Sequence, residues 1–85
     1  MIVATMERRE VASPDEIAKL DGLRVYVQPR CAPFGARMAV LRKLPWGRQW
    51  SVGFLSYDYK KIVRARFFLD AAEVLSTFRI WYLVA

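Results

Sequence analysis

Between Leu23 and Phe68 the chain reads as four strand-like runs, each stopped by a cluster of Pro, Gly or Asp. LRVYVQ (Leu23–Gln28) is the clearest. Leu23, Val25 and Val27 fall on one side, and Arg24, Tyr26 and Gln28 on the other, which is the period of a half-buried strand. PRCAPFG (Pro29–Gly35) is a loop by its two prolines and one glycine. ARMAVLRKL (Ala36–Leu44) reads as a second strand, PWG (Pro45–Gly47) as a turn and RQWSVGFLSY (Arg48–Tyr57) as a third strand. DYK then turns the chain into a fourth, KIVRARFF (Lys61–Phe68). Short connections between the last three favour an antiparallel meander.

The flanks have a different period. SPDEIAKLDG (Ser13–Gly22) carries a capping box, in which Ser13 accepts from the amide of Glu16 and Glu16 reaches back to that of Ser13. Pro14 suits the first helical position and Gly22 the left-handed stop, so a helix of about two turns is expected over 14–20. Residues 1–12 read as a loose arm or as an added strand through Met1–Met6. Near the end, Asp70 and Glu73 form a second capping pair. Val74, Leu75, Phe78, Trp81 and Tyr82 then share one helical face. The last residues, IWYLVA, have high β-propensity and are also readable as a strand. The pattern favours helix at least through Phe78. The expectation is one α+β domain over residues 1–85. It has an antiparallel sheet of three or four strands, a C-terminal helix packed on one face and a short N-terminal helix.

One helix covers one face. Apolarity assigns Val63, Ala65 and Phe67 to the covered side with Leu23, Val25 and Val27. Arg64 and Arg66 then project from the open side, joined by Arg24, Tyr26, and either Arg42 or Arg37 and Lys43. Such a face is commonly solvated, and arginine is ordinary on it. The charge distribution is less ordinary. The net charge is +6, and residues 22–69 alone hold ten bases against one acid, Asp58. A merely solvated face usually mixes signs. This excess points to an acidic partner: nucleic acid, an acidic protein or nucleoprotein surface, or, by charge alone, an anionic membrane.

Several chemistries find no residues here. The chain has no histidine, so histidine-based nucleophilic sites and general bases are absent. One cysteine, Cys31, supports neither a disulfide framework nor a zinc site. The four glycines lack phosphate-loop spacing. The expectation is no enzyme, no cofactor and no metal. MIVATMERRE holds no apolar core of signal-peptide length. The longest apolar run, in RIWYLVA, falls far short of the ~20 residues that cross a bilayer. A cytoplasmic protein that does not engage a membrane is expected.

The basic meander, followed by the spacing Phe67, Leu69, Glu73 and an amphipathic segment, resembles two groups. One is the arm-type DNA-binding domain of tyrosine integrases, a sheet plus helix whose sheet lies in a DNA groove. The other is the sheet-plus-helix kind of small phage anti-CRISPR protein, some of which end much like RARFFLDAAEVLSTF (Arg64–Phe78). The likeness spans residues 36–82. It implies a DNA-binding sheet in the first case. In the second it implies a phage-encoded inhibitor in the host cytoplasm.

Two functional expectations follow. In the first, the chain is a non-catalytic binder of nucleic acid or a nucleoprotein complex. Arg24, Arg42, Lys43, Arg48, Lys60, Lys61, Arg64 and Arg66 contact phosphates, and Trp46 and Tyr57 stack on bases. In the second, it is an anti-CRISPR-like inhibitor that blocks a host protein complex, with Trp46, Tyr57 and Tyr59 as anchors and the arginines as a polar rim. A homodimer burying RIWYLVA is a further expectation. Trp46, at the tip of RKLPWGRQW, is either folded onto the core or offered to a partner.

Overall fold

The computed structural model describes residues 7–31 and 35–84. Its elements run β1 (Glu7–Glu10), α1 (Pro14–Ala18), β2 (Arg24–Pro29), β3 (Arg37–Lys43), β4 (Trp50–Leu55), β5 (Ile62–Phe68), α2 (Ala71–Thr77) and β6 (Phe78–Val84). All six strands lie in one sheet in the order β1-β6-β2-β3-β4-β5. Every pairing is antiparallel.

This overturns the expected α+β fold of three or four strands. Strands β2 to β5 lie on the four stretches that alternation marks. The other two come from the flanks. Glu7–Glu10 pairs with β6, so part of the expected arm is a strand; Met1–Met6 lie outside the described residues. The expected long C-terminal helix is only the seven residues Ala71–Thr77. At Phe78 the backbone turns extended, with φ −125° and ψ 146°. The segment FRIWYLV then inserts between β1 and β2. Its β-branched and aromatic side chains suit a pleated sheet better than a helix. In the sheet, Phe78 and Ile80 are buried. Within it, Phe78 to Trp81 pair with β2 and Trp81 to Val84 pair with β1.

The two caps differ in how they are made. Asp70 Oδ1 accepts from the Glu73 amide at 2.9 Å, and Glu73 Oε2 accepts from the Leu69 amide at 3.1 Å. At α1, the Ser13 side chain makes no cap bond. Its backbone carbonyl accepts from the Glu16 amide, and Glu16 reaches back to the Ala12 amide at 3.3 Å. Helix α1 ends at Ala18 with Lys19 as its cap, short of the expected 14–20, and Gly22, with φ +78°, is left-handed in the turn that follows and donates to the Leu41 carbonyl at 2.6 Å.

Both helices lie on one face of the sheet. Ile17, Leu20 and Val74 pack there against Val25, Val27, Ala39, Leu41, Trp50, Val52, Phe54, Phe68, Phe78 and Ile80. Phe78 is the hinge of this core. Its ring meets Phe54 edge-on at 6.0 Å and Phe68 edge-on at 5.8 Å. The helices have five and seven residues. At 1.5 Å per residue they reach only about 7 to 11 Å. Six strands spaced ~4.8 Å apart are about 24 Å wide, so part of the helix-bearing face stays uncovered.

Candidate nucleic-acid interface

The register of β4 and β5 decides where the arginines point. Trp50 faces Phe68, Val52 faces Arg66 and Phe54 faces Arg64. Residues directly opposite share a face. Arg64 and Arg66 therefore lie on the helix-bearing face, opposite to the expected side. Gly53 faces Ala65 and Ser51 faces Phe67, which puts Ala65 and Phe67 on the other side. Phe67 is 68% exposed there, and Val63 and Leu69 are exposed too. Leu23 is likewise exposed rather than covered. The reason lies in the Phe67-Phe68 pair. Only one of two consecutive strand residues can enter the core, and Phe68 enters against Phe78. Parity then carries Arg66 and Arg64 with it.

This inversion places three guanidinium groups around one groove. Arg37, Arg64 and Arg66 line a concavity of about 380 Å³ whose floor includes Phe54 and Phe78. The Arg37 guanidinium lies 5.3 Å from the Phe54 ring centre. That of Arg66 lies 5.2 Å from Phe68 and 5.6 Å from Phe78. The aromatic faces hold the cationic heads by their quadrupoles and cover their stems. Among the described residues the ion pairs are Arg9–Glu7 and Arg79–Glu10, so none of these three guanidiniums is spent on a carboxylate.

The other expected site residues fall elsewhere. Arg42, Lys43, Trp46 and Arg48 gather at the β3–β4 hairpin. Trp46 is 67% exposed, so it is offered rather than folded back. Lys43 is engaged on both sides: its amide donates to Asp21, ahead of β2, at 2.9 Å, and its Nζ to the Gly47 carbonyl within the hairpin at 3.3 Å. Tyr57, Tyr59, Lys60 and Lys61 form the β4–β5 turn at the opposite end of β4. Six residues at ~3.3 Å each separate the two turns by about 20 Å. Trp46 and Tyr57 thus do not form one stacking platform.

The β4–β5 turn curls over the face away from the helices. Arg24 donates from Nη2 to the Tyr59 carbonyl at 3.2 Å. Asp58 accepts from the Ser56 hydroxyl and from the Lys60 amide. Those bonds, the Ser56 hydroxyl first, hold its carboxyl below the usual aspartate range. Tyr26, Met38, Leu55, Tyr57, Tyr59 and Val63 line the concavity of about 550 Å³ beneath the turn. Arg8 lies over the Tyr26 ring at 5.3 Å.

Sequence reading missed Arg8 and left Arg37 and Tyr26 out of the expected contacts. Arg8 comes from a strand no alternation marked. Arg37 and Tyr26 were legible only as members of strand faces whose register was unknown.

No protein-family model, curated protein or solved structure matches the chain. Among the described residues no group of three or more His, Cys, Asp or Glu gathers as a metal site. Among them, too, no helix is long and apolar enough to cross a membrane.

Proposed function

We propose that the chain is a non-catalytic nucleic-acid-binding protein, and that the groove of Arg37, Arg64 and Arg66 is its phosphate-contacting surface. The observation that carries this reading is the convergence of three guanidinium groups, free of carboxylates, on one concave surface with an aromatic floor. Arginine forks match phosphate oxygens in a bidentate way. The positions of Arg37 over Phe54 and of Arg66 over Phe68 and Phe78 lower the entropy lost when a phosphate arrives. Lys60 and Lys61, exposed in the adjacent turn, extend the positive field toward the far face.

The test is fluorescence anisotropy of labelled DNA and RNA, titrated with the purified chain over a range of salt. Micromolar or tighter binding that weakens steeply with salt is expected. The Arg64→Glu/Arg66→Glu variant, checked for folding by circular dichroism, should lose most of it. The slope of log affinity against log salt should shrink by roughly 0.7 to 0.9 per phosphate contact removed. Binding that is insensitive to salt, or unchanged in the folded variant, overturns the reading and moves the weight to an acidic protein partner.

A further inference from the structure

The arginine groove does not use the second concavity, and that concavity differs from it in kind. Its walls are mostly tyrosines and apolar side chains, with Arg37 the one cation among them. Tyr59 is held there in an unusual way. It has φ +58°, the one non-glycine residue with positive φ among the described residues. A bulky side chain rarely adopts that conformation. The turn holds it there by three bonds. The Tyr59 amide donates to the Ser56 carbonyl at 2.9 Å, the Ser56 amide to the Lys61 carbonyl at 2.9 Å, and Arg24 to the Tyr59 carbonyl. The result leaves Tyr59 half exposed at the rim, with Tyr57 fully exposed beside it and Tyr26 across the floor.

Three residues join the two concavities. Gly35 lines the groove, Ala36 lines the tyrosine pocket, and Arg37 lines both. The start of β3 is therefore a saddle between a cationic surface and an aromatic one. Gly35 and Ala36, which lead into β3, carry almost no side chain, and this leaves the path low. The surroundings of the pocket are positive: Arg8 over Tyr26, Arg24 on the turn, Arg37 in the wall, and Lys60 and Lys61 beside it. Asp58 is the single carboxylate of the turn, and it is engaged by Ser56 and Lys60.

We infer that the pocket of Tyr26, Tyr57 and Tyr59 accepts an unpaired base of a single strand whose phosphates lie on Arg37 and the neighbouring arginine groove. The inference rests on the nucleic-acid reading above and adds the strand class to it. A base offers an apolar π-face to tyrosine and comes with the negative charge that the rim is built to meet. Bases locked in a duplex present only their edges and cannot enter a pocket by their faces. The chain therefore prefers single strands.

The test compares a labelled oligothymidine of about 12 nucleotides with a blunt duplex of about 12 base pairs, whose greater charge works against the expected preference, both at roughly 50 mM salt. The wild type should bind the single strand at least about tenfold tighter, as one or two stacked bases provide. Tyr59→Gly removes the ring and suits a positive φ, so the fold is retained; Tyr57→Ser changes a fully exposed side chain. Both should cut single-strand affinity about five- to tenfold or more and leave duplex affinity unchanged. Arg64→Glu/Arg66→Glu should weaken both ligands alike. Equal binding of single strand and duplex overturns the inference while leaving the nucleic-acid reading intact. A preference that survives in Tyr59→Gly and Tyr57→Ser overturns it too. If neither ligand binds at low salt, the nucleic-acid reading itself falls and takes the inference with it.

Discussion

At the scale of single residues, Gly53 shows how closely the two faces of β4 are fitted. A Cβ added there would sit 2.8 Å from Ile62 Cδ1 and 3.1 to 3.2 Å from two further carbons of the same side chain. Ile62 lies across Gly53 because the register slips between Phe54 and Leu55, which brings Ile62 opposite Leu55. The missing side chain at position 53 is thus filled by its neighbour. Gly53→Ala should lower stability by about 1 to 2 kcal/mol in urea denaturation, because overpacking outweighs the gain in strand propensity. Trimming the neighbour in Gly53→Ala/Ile62→Ala should recover much of that loss, and the two changes should not add. A neutral Gly53→Ala would mean that Ile62 swings away freely. Sequence showed a glycine in a strand run. It did not show the glycine's partner, since that depends on a bulge in the next strand.

At the scale of elements, β5 is the exposed edge of the sheet, and six of its seven residues are exposed. Ile62, Val63 and Phe67 give it an apolar character that invites a second strand. Its arginines oppose that. In an antiparallel pairing of two copies centred on Ala65, Arg64 of each would face Arg66 of the other, and like charges directly opposite are destabilising. Arg64 and Arg66 line the groove, and the same charges oppose such a pairing at the edge. Arg64→Thr/Arg66→Thr should show a mass that rises with concentration in sedimentation equilibrium, while the wild type should stay monomeric. A variant that remains monomeric over the same range would show that charge is not what keeps this edge unpaired. Strands β2 to β5 were legible from their alternation and their turn residues. Strand β6 was legible only as an alternative, because IWYLVA satisfies both a helical face and a strand, and local pattern cannot rank the two.

At the scale of the whole molecule, the outermost strand is joined to the rest by a side-chain clasp. Arg79 donates from Nε and Nη2 to the two carboxylate oxygens of Glu10, at 3.0 and 2.7 Å. The Arg79 guanidinium also lies over Trp81 at 4.8 Å. The hydrogen bond from Arg79 is the main cause that holds the Glu10 carboxyl below its ordinary value of 4.5. The same bond raises Arg79. A carboxyl whose folded value lies below its unfolded one stabilises the fold above the unfolded value, and the effect disappears as pH falls through the folded value. The difference in melting temperature between wild type and Glu10→Gln should thus be small, positive and flat above about pH 5, and should shrink below about pH 4. A difference that grows on acidification would contradict this direction. Neither partner of the clasp was identifiable beforehand, since they stand 69 positions apart.

What this sequence determined by itself is local. Alternation placed β2 to β5, Asp70 and Glu73 marked the start of α2, Gly22 marked a left-handed turn residue, and the ten-to-one base excess marked the middle of the chain as the positive part. These follow from interactions among neighbours in the chain, which a pattern of residue types records. Only the tertiary structure decided which face of β5 turns inward. Counting apolar residues favoured Val63, Ala65 and Phe67, but Phe68 fits the site between Trp50 and Phe78, and strand parity carried Arg64 and Arg66 to the same side. It also decided that two short helices leave one end of their face open, and that Gly35, Ala36 and Arg37 bridge the groove and the pocket. Burial is shared among strands distant in sequence, so the choice between two half-apolar faces is made by the partner that fills the core, not by the strand itself.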